Sequence, residues 1–208
     1  MTIALFGGSG RTGKPFIEQA IARGHQLRAL TRKPERLPAT RGLTPVVGDL
    51  CDAAAVRRVI EGADAVVSLV GQTKGGRKDV QTVGTRHMVD AMRANKIGRI
   101  ISMTGGGVPY EKDEPKFVDK MFRGVMGLFF KDVIRDAVGH AEVLRSSGLD
   151  YTIVRAPRLV DEPPRDSYDV GYVGTTGSSK IARADVARFI LDALRNDLHI
   201  GDEPFVSW

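Results

Sequence analysis

The first candidate chemistry lies in a turn. A short apolar run, Thr2 to Phe6, leads directly into Gly7-Gly8-Ser9-Gly10-Arg11-Thr12-Gly13, and the pattern after it is helical. Glycines at 7, 10 and 13 give G-x-x-G-x-x-G between a strand and a helix. Such a turn needs a residue without Cβ, a pyrophosphate needs close approach to the backbone, and the helix must start tight against the strand. The helix start also offers unpaired N–H groups and a positive dipole end to phosphate. Two overlapping motifs fail on single residues. Gly8 to Lys14 fits G-x-x-x-x-G-K, but Pro15 stands where a phosphate-binding loop needs Ser or Thr to hold magnesium. A G-x-S-x-G hydrolase elbow fails because Ser9 is followed by Gly10 and then Arg11.

The second candidate site lies about 20 residues beyond the glycines, where an acidic residue binds a ribose 2′-hydroxyl and a basic one accommodates a 2′-phosphate. Thr31-Arg32-Lys33 occupies that place, with Arg36 one helical turn beyond Arg32. Cations without a carboxylate favour NADP(H) over NAD(H). The four histidines, His25, His87, His140 and His199, are far apart and lack metal-ligand spacing, so no metal is expected. Cys51, the only cysteine, has no local feature that would activate it and reads as a packed small residue.

These groups need elements to position them. Nearly continuous apolar runs mark strands at Thr2 to Phe6, Gln26 to Thr31, Thr44 to Val47, Ala65 to Val70, Arg99 to Met103 and Tyr151 to Arg155, as expected for strands covered on both faces. Helical stretches lie at Arg11 to Arg23, Ala53 to Glu61, Val80 to Asn95, Val133 to Ser146 and Ala184 to Arg195. The βαβα order predicts an α/β fold: a doubly wound, mostly parallel sheet with helices on both faces. One domain spans 1–208, with a small substrate-side extension built from about 104–135 and 157–180. Within the extension, Thr104 to Lys116 reads as a loop, and apolar residues recur every four positions from Phe117 to Ile134. That wide apolar face reads first as core-facing, with a lid or a subunit interface as the other possibilities. A short strand is expected at Tyr168 to Val173.

Composition narrows the class. Glycine is in excess, 24 of 208 residues, without the period of collagen or the bias of disorder. A single cysteine excludes an intrachain disulfide, and the longest apolar run, Val125 to Phe130, is far too short to span a membrane. A cytoplasmic protein without a membrane partner is the expectation. The net charge of +6 comes from basic residues scattered among acidic ones, with no basic run to track a nucleic-acid backbone, and a phosphorylated small molecule explains it as well.

With the glycine loop, Gly48-Asp49-Leu50, Asp64-Ala-Val-Val-Ser-Leu-Val-Gly71 and Ser147-Gly-Leu-Asp-Tyr-Thr-Ile-Val-Arg-Ala-Pro157 together, nearly the whole chain resembles the atypical short-chain dehydrogenase/reductases with an NAD(P)-binding Rossmann fold. Within them it is most similar to the biliverdin-IXβ reductase (flavin reductase) branch and its NmrA-like relatives, through Arg32 to Leu37, Val143 to Leu149 and the pattern from Gly171 to Phe189. The resemblance implies backbone contacts from Gly10, Arg11, Thr12 and Gly13 to the pyrophosphate, and Arg32 and Arg36 at the 2′-phosphate. It also implies Asp49 and Leu50 beside adenine, Gly71 beside a ribose, and Thr104, Pro157 and Arg158 near the nicotinamide. For Asp49 the other reading is a helix N-cap, although Asp52 is better placed for it.

The sequence departs from the wider superfamily at its acid. The Tyr-x-x-x-Lys pair is missing: the residues four beyond Tyr110, Tyr151, Tyr168 and Tyr172 are Glu114, Arg155, Tyr172 and Thr176. The serine expected just past the fifth strand is replaced by Gly105, with only Thr104 beside it. The expected activity is therefore NADPH-dependent hydride transfer to a planar acceptor such as a flavin, quinone or linear tetrapyrrole. Thr104 and His140 are the candidate catalytic residues, His140 as a proton donor, although a solvated helix position is the expectation for it. The alternative is a dinucleotide-sensing regulator without turnover. A monomer or a homodimer fits either activity.

Overall fold

The computed structural model describes residues 1–72, 75–116, 130–175 and 177–208. Ten strands and five helices are found among them: β1 (Thr2–Phe6), α1 (Gly13–Ala22), β2 (Gln26–Thr31), β3 (Leu43–Val47), α2 (Ala53–Ile60), β4 (Ala65–Ser68), α3 (Val80–Asn95), β5 (Arg99–Gly105), α4 (Lys131–Arg145), β6 (Asp150–Ala156), β7 (Arg158–Val160), β8 (Asp169–Gly171), β9 (Lys180–Ala182), α5 (Arg183–Arg195) and β10 (Phe205–Ser207). The eight-stranded sheet runs β3-β2-β1-β4-β5-β6-β10-β8, parallel throughout except for β8, which is antiparallel to β10. The strands β7 and β9 form a separate parallel pair. Most of the apolar helical stretch from Phe117 lies outside the described residues.

Alternation along each strand sends side chains to two cores. Ile3, Leu5, Val67, Ile101 and Val154 pack with Phe16 and Ile17 of α1 and Val186 and Ile190 of α5. Ala4, Phe6, Val66, Ile100 and Ile153 pack with α2, α3 and α4. Helices thus cover both faces, as the apolar runs imply. The exception is β3, expected to be covered on both faces but in fact an edge strand, with Val47 60% exposed. Gly48 N–H donates to Thr31 O and Leu27 N–H to Gly42 O, so the even-numbered residues of β3 face β2 and Pro45 faces outward. The β7, β9 and β10 strands, three residues each, are too short for periodicity to mark.

Candidate functional site

The two strands central to the parallel sheet, β1 and β4, leave a crevice at their C-terminal ends, where open α/β sheets take ligands. Gly7 enters it with φ +84°, and a Cβ there would lie 2.7 Å from the Leu69 backbone that follows β4. At Gly13 a Cβ would come within 2.5 Å of Gly7 O, so only glycine lets α1 begin this close to the turn. Gly10 N–H donates to Gly7 O at 3.0 Å and closes the loop. Among the described residues nothing accepts from the N–H groups of Arg11, Thr12 or Gly13. Unpaired donors at the start of a ten-residue helix form an anion cradle, and a pyrophosphate fits it. Beside the cradle, side chains built at Gly71, Gly105 or Gly107 would meet nothing within 4 Å, so the backbone lies open there.

The cations follow β2, the strand beside β1. Arg32, 70% exposed, lies 3.7 Å from Asp49, a loose pairing that leaves most of its guanidinium free. Arg36 has no ion-pair partner among the described residues. Asp49 accepts from Cys51 N–H at 2.8 Å and so turns the chain, while Asp52 does cap α2, taking Ala54 N–H at 2.9 Å. Leu50 turns inward: it is buried against Gly84 of α3, and its carbonyl lies 3.2 Å from His87 Nδ1. Cys51 is partly buried, and burial together with Asp49 pushes its thiol pKa up, away from reactivity.

Thr104 occupies the next-to-last position of β5, in register with Arg155, and its hydroxyl has no hydrogen-bond partner among the described residues. Pro157 follows β6, and Arg158 opens β7 with its N–H donated to Ser179 O at 3.2 Å. Arg11 reaches Asp161 at 3.4 Å, linking the glycine loop to the extension.

His140 differs from its expectation. It is only 2% exposed, and its Nε2 lies 2.7 Å from Ser102 Oγ in β5. Burial pushes its pKa down to about 4, which keeps the ring neutral near pH 7. Its spacing from Ala137, Ala141 and Leu144 places it on the apolar stripe of α4, a signal present in the sequence. Sequence reasoning also passed over Asp136, one turn earlier. This buried carboxylate accepts from Gln81 N–H at 3.0 Å, Thr82 N–H at 2.9 Å and Gln72 Nε2 at 3.3 Å. It thereby caps α3 and ties down the loop that carries Gly71.

None of the four tyrosines faces the crevice with a free hydroxyl. Tyr110 and Tyr172 donate to Asp202, Tyr168 to Asp192 and Tyr151 to the Gly201 carbonyl. Burial, reinforced by the Asp202 bond, pushes the Tyr110 pKa up; burial and Asp192 lift Tyr168 to about 12; and burial raises Tyr151. Burial opposes the charge on Asp202, yet the bonds from Lys112, Tyr110 and Tyr172 hold its pKa down at about 2. Behind Tyr110, Arg155 binds Asp113 with both terminal nitrogens, at 2.8 and 2.7 Å, and Arg145 grips the buried Glu203.

Sheet order, glycine turn and helix start together define a dinucleotide-binding Rossmann protein. The chain belongs to the NAD(P)H-binding family, whose model matches residues 7–197. An uncharacterised chloroplastic protein of Arabidopsis thaliana is 26% identical over 94% of this chain. The chain spans 66% of that relative's length and about a third of the next two curated relatives. Among solved structures, the anaerobilin reductase ChuY of Escherichia coli O157:H7 superposes with a TM-score of 0.81 at 22% identity, over 100% of this chain and 97% of that one. A short-chain dehydrogenase/reductase of Veillonella parvula in complex with NADP superposes with a TM-score of 0.79 at 17% identity, over 100% and 94%. No helix among the described residues is long and apolar enough to cross a membrane.

Proposed function

We propose that this protein is an NADPH-dependent reductase that passes hydride to a planar acceptor of the flavin, quinone or linear-tetrapyrrole kind. The observation that carries this reading is the fate of the tyrosine hydroxyls, all of which donate within the fold while burial raises three of their pKa values. No phenol is poised to protonate an alkoxide, whereas a conjugated acceptor takes hydride and draws its proton from solvent.

In this reading the dinucleotide, when bound, supplies the hydride. The N–H groups of Arg11, Thr12 and Gly13 and the dipole of α1 hold the pyrophosphate. Arg32 and Arg36 take the 2′-phosphate, Arg32 being held in the fold only by its loose contact to Asp49. Asp136 holds the Gly71 loop at the ribose, and Thr104 offers an unsatisfied hydroxyl to the nicotinamide end. The structural neighbour ChuY is an anaerobilin reductase by its name, which supports a reductase reading.

Stopped-flow measurement of NADPH oxidation with FMN, a quinone and biliverdin tests the reading. Acceptor-dependent oxidation, faster with NADPH than with NADH, is the expected result. Tight NADPH binding with no turnover on any of the three would refute it and favour a dinucleotide-sensing regulator.

A further inference from the structure

Beyond Thr104, the same face of the sheet continues across two more strands: Thr104 is in register with Arg155, and Arg155 with Phe205 of β10. At ~4.8 Å per strand, Phe205 stands roughly 10 Å from Thr104, on the same row of the sheet. Its ring extends toward the ligand edge. A Cβ built on Gly106 would sit 2.5 Å from Phe205 Cε2, and one on Gly177 would sit 3.1 Å from Cε1. Gly106 directly follows β5, and its N–H is fixed to Ala156 O at 2.8 Å, where β6 ends. Two loops therefore meet opposite edges of one aromatic ring through residues that have no side chain.

The ring is partly exposed, although its neighbours in the row and in the strand, Arg155, Val206 and Ser207, are fully buried. An accessible phenylalanine in a sealed neighbourhood, beside the strand ends where the nicotinamide end of the crevice lies, offers a flat apolar surface. Aromatic faces favour offset stacking with planar partners. We propose that Phe205 is the wall on which the planar acceptor stacks, and that Gly106 and Gly177 set how far the ring projects. The proposal rests on the NADPH-reductase reading for its choice of ligand, but its test does not depend on turnover.

FMN and biliverdin are the probes, titrated into NADP⁺-loaded protein by fluorescence and absorbance change, with NADPH affinity and thermal unfolding measured in parallel. Phe205→Leu keeps apolar bulk but removes the ring, and the expected result is about tenfold weaker probe binding with NADPH affinity within about twofold of wild type. Phe205→Tyr should bind the probe within about twofold of wild type and serves where the leucine variant does not fold. Gly106→Ala, which displaces the ring, should weaken the probe as Phe205→Leu does, and the double variant should be no worse than Phe205→Leu alone. Unchanged probe binding in folded Phe205→Leu overturns the proposal, as does a parallel loss of NADPH, or wild type that binds neither probe. Ring-dependent probe binding without NADPH oxidation would instead overturn the reductase reading and leave the wall standing.

Discussion

The dinucleotide crevice and the Arg155 network both crowd polar groups at the margin of one sheet, the first after β1, β2 and β3 and the second around β6 and β10, and they treat them in opposite ways. In the crevice Arg32 is mostly exposed and held only at 3.7 Å, Arg36 is unpaired among the described residues, and three backbone donors at the start of α1 have no acceptor. In the network Arg155 and Asp113 are almost completely buried and doubly bonded, and Glu203 is buried under a two-bond grip from Arg145. Unsatisfied groups mark where a ligand supplies the missing partner; saturated ones fix loop 106–116 to the sheet and have nothing left to give. The polar residues that look most like an active site, with tyrosines, lysine and aspartate together, are thus the structural ones.

Substitutions can break this contrast, and the largest effect belongs to the sealed side. Asp113→Ala leaves the Arg155 guanidinium buried without its bidentate partner and should cost about 3–5 kcal/mol in urea unfolding. A variant as stable as wild type would put the network in the ligand-binding class. His140 comes next. Its folded pKa of about 4 lies below the unfolded value of 6.5, so the unfolded chain takes up the proton first as pH falls. Stability is full above pH 6.5 and declines toward pH 4 by about 3 kcal/mol, a slope that His140→Leu should remove from denaturation curves taken across that range.

On the open side, Arg32→Ala and Arg36→Ala should each weaken NADPH binding about tenfold, leave NADH binding unchanged and shift stability by no more than about 0.5 kcal/mol. Isothermal titration with both dinucleotides, beside unfolding curves, separates these outcomes. The smallest effect on the dinucleotide is expected where the two sides meet: Asp161→Ala removes an exposed pair to Arg11 and the carboxylate partner of the buried Arg183, and should cost about 1–2 kcal/mol of stability with NADPH affinity within about twofold of wild type. A larger loss of NADPH affinity than of stability would move Asp161 into the binding site.

The legible parts of the molecule were those governed by local rules. The glycine turn, the cations after β2 and the bounds of α3 follow from short-range sterics, charge and period, and the structure has them where the sequence indicates. Asp136, His140 and Phe205 depend on what packs opposite them. Asp136 carries no local signal, and its role becomes visible only once α3 is placed with its N-terminal donors against it. His140 had a legible stripe, but its partner Ser102 sits 38 residues away on another element. Phe205 lies in a three-residue strand whose place between β6 and β8 is a long-range fact.

The outward-facing Pro45 bears on assembly. A second sheet joining edge to edge at β3 would need a backbone donor at that position, and proline has none. At the opposite margin β8 offers only three residues. Both rims of the eight-stranded sheet are blunted, which disfavours a continuous intermolecular sheet, the usual start of aggregation, at either of them.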